Sequence, residues 1–414
     1  MPLFLAKYKR LFLIIGFVIV ILILGYLLYA VFFKPSIPEI APTGPATTTT
    51  PGGLPISPKG PGQIITPTGP SGLPIIKGEG AKAEVSEVAK GGLTKTTKLN
   101  DMESLSATLG TDNSALQFYN KSDGKFYRLD ENGAATALSE KVFHAAENIK
   151  WSPTKNEAII EYPDGSNIIY NFSAKKQIIL PKHWKDFDFS PNGNEIVTKS
   201  LGLDPNNRWL AISNEDGSKV KAIEALGENE SIVYPSWSPN NQTIAMYTKG
   251  IDFDRQEVFF VGLNNENFKS LTIEGRGFQY KWQPSGNELL YSAYSSKNNL
   301  KPMLWLDNAQ GESIGSGRRS LNIETWADKC SFANDKDLYC AVPEKLEEGA
   351  GLFPELAQNT KDQLYKIDTQ TGLKKLIAVP DGNYNMSNLI ISHGEQYLYF
   401  TDETTKKIYK IKLK

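Results

Sequence analysis

The spacing of hydrophobic positions changes three times along this 414-residue chain. From Leu11 to Phe33 they run without a break: LFLIIGFVIVILILGYLLYAVFF is 23 residues with no charge. As a helix rising ~1.5 Å per residue, this run spans a ~30 Å hydrocarbon layer with some tilt. Residues 35–80 then lose almost all apolar periodicity. From residue 93 onward, short runs alternate apolar and polar positions, which predicts many β-strands and no long helix.

The strand-rich part repeats. WSPTKNEAII (151–160), FSPNGNEIVT (189–198), WSPNNQTIAM (237–246) and WQPSGNELLY (282–291) share an aromatic start, a Pro-containing turn and an apolar restart. LGTDNSALQF (109–118), ISHGEQYLYF (391–400) and the shorter FANDKDLYC (332–340) are weaker copies. The anchors are Leu109, Trp151, Phe189, Trp237, Trp282, Phe332 and Ile391, spaced by 42, 38, 48, 45, 50 and 59 residues. Each copy reads as a hairpin in which the anchor ends one strand and Ser, Pro, Asn and Gly turn the chain. A second hairpin follows, as in IIYNFSAKKQIIL (168–180) and VFFVGLNNENFKSLTI (258–273). Four antiparallel strands per ~40–50 residues is the period of a β-propeller blade. The predicted fold is therefore all-β, a propeller of four-stranded antiparallel blades over 93–414, with seven blades and six as the alternative. After Ile391 only two further strands are evident, so LTKTTKL (93–99) is expected to supply the missing outer strand and remove the open edge.

The [WF]-S-P-N-x-x-x-[IL] unit resembles the TolB-like, WD-related β-propeller repeat of bacterial envelope proteins. The resemblance covers about 320 residues and implies a propeller with a binding surface. The α/β domain that precedes the propeller in TolB itself has no counterpart in this sequence, where an apolar span and a tether stand in its place. TolB's role in an envelope-spanning complex is therefore not implied.

Charge assigns an address. Lys7, Lys9 and Arg10 precede the apolar span, and one lysine, Lys34, follows it. This asymmetry places residues 1–10 in the cytoplasm and everything after Lys34 outside. The bulky Phe32 in Ala30-Val31-Phe32-Phe33 does not suit an Ala-x-Ala cleavage site, so residues 11–33 are expected to stay as a signal anchor in the membrane. Residues 34–92 read as a linker, holding 11 of the 24 prolines between Pro35 and Pro74. Within it, residues 81–90 (AKAEVSEVAK) are expected to form a short helix ended by Gly91-Gly92. With 45 basic and 46 acidic residues, the chain has no field that would gather nucleic acid.

Connection lengths suggest a working face. The turns inside the repeats are nearly constant in length, whereas second-to-third-strand and inter-blade connections vary. In a four-stranded meander those two kinds of connection emerge at one end, and loops that vary on a rigid scaffold are where recognition concentrates. The candidate binding residues there are Trp184, Asp204, Asp252, Asp254, Arg255, Arg276, Arg318, Arg319, Trp326 and Phe353. Exposed aromatic, arginine and aspartate side chains suit contacts with a protein or a glycan. The motif aromatics Trp151, Phe189, Trp237 and Trp282 are read as core.

No catalytic set stands out. Gly311-Glu312-Ser313-Ile314-Gly315 spells a nucleophile elbow but lacks the strand-turn-helix context that motif requires. His144, His183 and His393 have no ligand spacing. Asp252, Asp254 and Glu257 are calcium-type donors in a loop that reads as solvent-facing. No metal or cofactor is expected. In a symmetric hairpin Phe332 pairs with Leu338, which places Cys330 opposite Cys340 and within disulfide reach. The expected function is a membrane-tethered, non-catalytic protein-binding or assembly module of the cell envelope. The alternative is an envelope enzyme, a glycan or peptide hydrolase using the loop-rich face.

Overall fold

The computed structural model describes residues 19–20, 22–24, 84–264 and 266–414. The expected transmembrane anchor at 11–33 lies outside them, apart from five helical residues, and the linker lies outside them up to residue 83. Among the described residues no helix is long and apolar enough to cross a membrane.

The chain from residue 93 forms seven sheets: six contain a four-stranded antiparallel meander in chain order, and the seventh has three such strands completed by an earlier one. Their first strands are Ser104–Leu109, Asn148–Trp151, Trp184–Phe189, Val233–Pro235, Arg276–Trp282, Cys330–Phe332 and Met386–Ile391. First strands touch between blades 1 and 2, 3 and 4, and 6 and 7, and that of the seventh touches that of the first. The sheets are therefore the blades of a closed seven-bladed β-propeller with the first strands around the axis.

Seven apolar clusters, one at each seam between neighbouring blades, hold the ring together. Tyr119, Phe126 and Phe143 of blade 1 meet Trp151, Tyr170 and Phe172 of blade 2. At the closing seam, Leu116, Phe118 and Leu129 meet Tyr399 and Ile408 of blade 7. A sheet buried on both faces needs apolar side chains on both, which is why several second strands are continuously apolar rather than alternating. Ala158–Ile160, for example, is wholly buried.

The repeated motif has a local cause. Six of the seven anchors end their first strand; Trp237 follows its own by two residues. Ser238 Oγ accepts from the Gln242 and Thr243 N–H groups at 3.1 and 2.9 Å, closing the turn. The fourth residue after the anchor must turn left-handed: Gly193 has φ 78° and Gly286 φ 75°, while Lys155 and Asn241 adopt 62° and 61°. Indole N–H groups then pin blade to blade, Trp151 donating to the Ser106 carbonyl at 2.7 Å and Trp282 to Ser236 Oγ at 2.9 Å.

Four first strands carry a bulge that the alternation did not reveal. Register slips between Leu105 and Thr108, Lys185 and Asp188, Arg276 and Gln279, and Ser387 and Ile390. A left-handed residue sits inside each: Ser106, Asp186, Gly277 and Asn388.

The expected closing strand is split in two. Thr96–Lys98 pairs antiparallel with Ile408–Lys412 as the outer strand of blade 7. Leu93–Thr94 instead adds a fifth, parallel strand to blade 6 beside Lys374–Pro380. The helix expected over 81–90 is absent from its described part, 84–90. Ser86 bridges Thr94, the Ala89 N–H donates to the Lys412 carbonyl at 2.9 Å, and Gly91 N–H donates to that of Ile377 at 2.7 Å. A ten-residue helix with little to pack against is marginal in water, whereas the rim of the sheets offers ready hydrogen-bond partners.

Candidate binding surface

Each blade sends its second-to-third-strand loop and its link to the next blade to one end of the ring. Asp204 lies there in blade 3, where its carboxylate accepts from the Asn206 N–H at 2.9 Å and caps a single 3-10 turn. In blade 4, Arg255 pairs with Asp252 at 2.7 Å, and Arg276 donates to the Asp252 carbonyl at 2.9 Å. Asp254 accepts from the Ser296 N–H of blade 5 at 2.7 Å and from its hydroxyl. These contacts hold both carboxyls below their ordinary range: the Arg255 hydrogen bond is the leading cause for Asp252, and the Ser296 hydroxyl for Asp254. Asp252, Asp254, Arg255 and Arg276 thus gather in one cluster, in which Asp252 pairs with Arg255 and Asp254 is held by Ser296. Glu257 accepts from the Ser270 hydroxyl, so it does not join the two aspartates. Phe353 is on the same end, in the long loop of blade 6, and is 52% exposed.

The other four candidates belong elsewhere. Trp184 is buried, packed with Phe187 and Ile159 in the seam between blades 2 and 3, and its carbonyl accepts from Asn167 at 2.7 Å. Trp326 is buried with Leu346, Ala350 and Ala357 beneath the long loop of blade 6. Arg318 and Arg319 lie at the opposite end, because the outer strand of blade 5 is only Arg319–Ser320 and begins at the motif-turn side. There Arg318 reaches the buried Asp307 at 3.4 Å, and Arg319 grips Glu288. Gly311–Ser313, at that same end, is a single 3-10 turn.

What the candidate residues surround is apolar. Leu203 in blade 3, Ile251 and Phe253 in blade 4, and Leu352, Phe353 and Leu356 in blade 6 are all exposed. Blade 5 joins them, since its loop carries the blade 6 loop through Gly349 N–H to Asn299 O at 2.9 Å and Gly351 N–H to Leu300 O at 2.8 Å. The result is an arc over four neighbouring blades. Leu203 and Phe253 sit singly among polar neighbours, so no hydrophobic run marks them in the sequence.

Beside this arc, the channel mouth holds a cavity of about 280 Å³ lined by Gln279, Asp328, Asn385 and Glu403. Lys329 closes its floor by pairing with the fully buried Asp362 at 2.7 Å and donating to Asn385 at 2.7 Å. Burial raises the Asp328 and Asp362 carboxyls above their ordinary value, against the pull of Lys329. Among the described residues, no three His, Cys, Asp or Glu side chains are grouped as metal ligands.

In blade 6 Cys330 pairs with Cys340 and Phe332 with Leu338, and the two cysteines are joined at 2.13 Å between sulfurs. The bond lies in the seam with blade 5.

No protein-family model matches the chain, and no curated protein matches it. Solved structures do. The β-propeller domain of Swd1 from Myceliophteria thermophila is 11% identical with a TM-score of 0.51, covering 77% of this chain and all of its own. An oligogalacturonate lyase in complex with manganese is 13% identical at a TM-score of 0.49, covering 77% of this chain and 93% of its own. An oligogalacturonate lyase of Vibrio parahaemolyticus has the same coverage and TM-score at 11% identity. At such identities likeness speaks to architecture alone, and the architecture is that of a seven-bladed β-propeller.

Proposed function

We propose that this chain is a membrane-tethered, extracytoplasmic binding or assembly module of the cell envelope, kin to TolB-like propellers, that holds a protein partner on its loop-rich end. The apolar arc of Leu203, Ile251, Phe253, Leu352, Phe353 and Leu356 carries this reading. Exposed apolar side chains gathered on one face of a rigid scaffold favour protein contact, and the charged cluster beside them supplies a polar rim. The 23-residue apolar span at 11–33 and the Pro/Gly/Thr-rich linker favour a tether. The repeat sequences favour the TolB-like kinship.

The test uses the full chain, detergent-solubilised and immobilised, against crosslinked envelope extract. A parallel bait carries Leu203→Ser, Phe253→Ser and Phe353→Ser. A partner held by the first bait and lost from the second supports the reading. A partner held equally by both removes this face from it, and no partner above background counts against a binding module.

A further inference from the structure

The seam between blades 3 and 4 differs from its neighbours. Six aromatic rings close the seam between blades 1 and 2. Between blades 3 and 4 the buried cluster is mostly aliphatic, with Trp237 its one ring. The first strand of blade 4, Val233–Pro235, has three residues, against seven in blade 5. A cleft of about 870 Å³ is left open outside that cluster. Its blade 4 wall is Tyr247 and Phe259, half-buried cross-strand partners stacked at 4.6 Å and 7°. Ile223 and Glu224, on the outer strand of blade 3, form the facing wall, Glu224 pairing with Leu210 of the buried cluster, and Phe268 stands at one end.

Two further observations say what would fill it. The charged groups at the cleft are mainly acidic and largely free. Glu224 and the neighbouring Glu228 are exposed and take part in no ion pair among the described residues. Glu266 accepts only from Asn264 of its own loop. Lys221 is turned aside to the Leu263 carbonyl at 3.4 Å, leaving Lys249 as the opposing charge. The cleft also lies close to the exposed arc, Lys249 on its wall being two residues from Ile251. A cleft walled on one side by stacked aromatic rings standing on a sheet suits an extended or polyproline II peptide, whose side chains pack against such rings without first giving up much chain entropy.

We propose that the cleft between blades 3 and 4 is a docking groove for an extended, proline- or aliphatic-rich peptide segment of a partner protein that carries Lys or Arg to meet Glu224. This rests on the binding-module reading and deepens it. The peptide enters from the arc, lays its apolar side chains between Tyr247, Phe259 and Ile223, and sets its basic side chain against Glu224.

The experiment selects a phage-displayed library of random 12-residue peptides on the immobilised full chain, on Glu224→Trp and on Glu224→Lys. Glu224 is exposed on an outer strand and faces the cleft, so both variants are expected to fold, as circular dichroism and melting will check. The expected result is enrichment of apolar sequences bearing Lys or Arg on the wild-type chain. A synthetic peptide from that set should lose about tenfold or more in affinity for Glu224→Trp, and Glu224→Lys should turn the preference towards acidic peptides. No enrichment, acidic enrichment on the wild type, or binding unchanged in Glu224→Trp overturns the proposal. So does saccharide-array binding that Glu224→Trp abolishes while peptide selection fails. Partner capture lost from the Leu203, Phe253 and Phe353 variant but kept by Glu224→Trp would leave the binding module standing without this groove.

Discussion

Arg319 holds Glu288 by one nitrogen shared between both carboxylate oxygens, at 2.7 and 2.9 Å, and donates through Nε to the Thr369 carbonyl of blade 6 at 3.0 Å. It stitches two blades together at the end of the ring away from the variable loops. Arg319→Ala is therefore expected to lower stability by ~1–2 kcal/mol, the range for charge-assisted hydrogen bonds at a half-buried site. Urea midpoints of the variant check this, and its binding to any partner of the opposite end should not change.

Lys329 and Asp362 are a different case, because both are buried. Lys329→Met strands a carboxylate and should cost ~3–5 kcal/mol near neutral pH. Burial already raises the Asp362 carboxyl, and loss of Lys329 raises it further. The folded state then binds a proton that the unfolded chain gives up at lower pH, so stability falls as pH rises through this window. The deficit of Lys329→Met should shrink as pH drops from 7 towards 5. A deficit independent of pH in denaturant titrations would contradict this.

The Cys330–Cys340 bond closes a short loop, with a sequence separation of 10. In the chain-entropy account such a loop is worth ~2–3 kcal/mol. Denatured, unreduced protein should show no reactive thiol, and Cys330→Ala with Cys340→Ala should lower the urea midpoint accordingly.

Substitutions in the apolar arc should behave in the opposite way from those in the seams. Leu203→Ser and Phe253→Ser remove exposed side chains and should shift stability by no more than ~0.5 kcal/mol. Thermal melts of the double variant, set beside its partner binding, separate recognition from folding.

The closing strands yield a prediction about boundaries. A chain starting at residue 84 keeps Thr96–Lys98 on blade 7, whereas one starting at residue 99 leaves Ile408–Lys412 as a bare edge. The shorter chain should melt lower and aggregate, as light scattering during a melt would show.

Blade number and strand order were legible because the repeated turns share a chemistry: a hydroxyl closes those after Trp151, Phe189, Trp237 and Ile391, and six of the seven have a left-handed fourth residue. The Cys330–Cys340 register was legible from the symmetry of its own hairpin. The working face was legible only in part. Trp184 looked like a loop aromatic because a bulge at Asp186 breaks the alternation, so Trp184, Phe187 and Phe189 all face inward at uneven spacing. Arg318 and Arg319 fell on the wrong end because a two-residue strand leaves no pattern around it. Trp326 is covered by Leu346, Ala350 and Ala357 from a loop some twenty residues downstream, a contact that no local period encodes. The arc itself is scattered over three loops, and only the packing of blades 3 to 6 side by side gathers it.

Closure of the ring also sets an order of events as the chain is made. Asn100 accepts from the Ile408 N–H across 308 residues of sequence, and Thr96–Lys98 leaves the ribosome long before the strand it will flank. Blades 1 to 6 can form one after another behind it. Thr96–Lys98 must nevertheless wait for Ile408–Lys412, and a chaperone would meet this protein as an open crescent until that strand arrives.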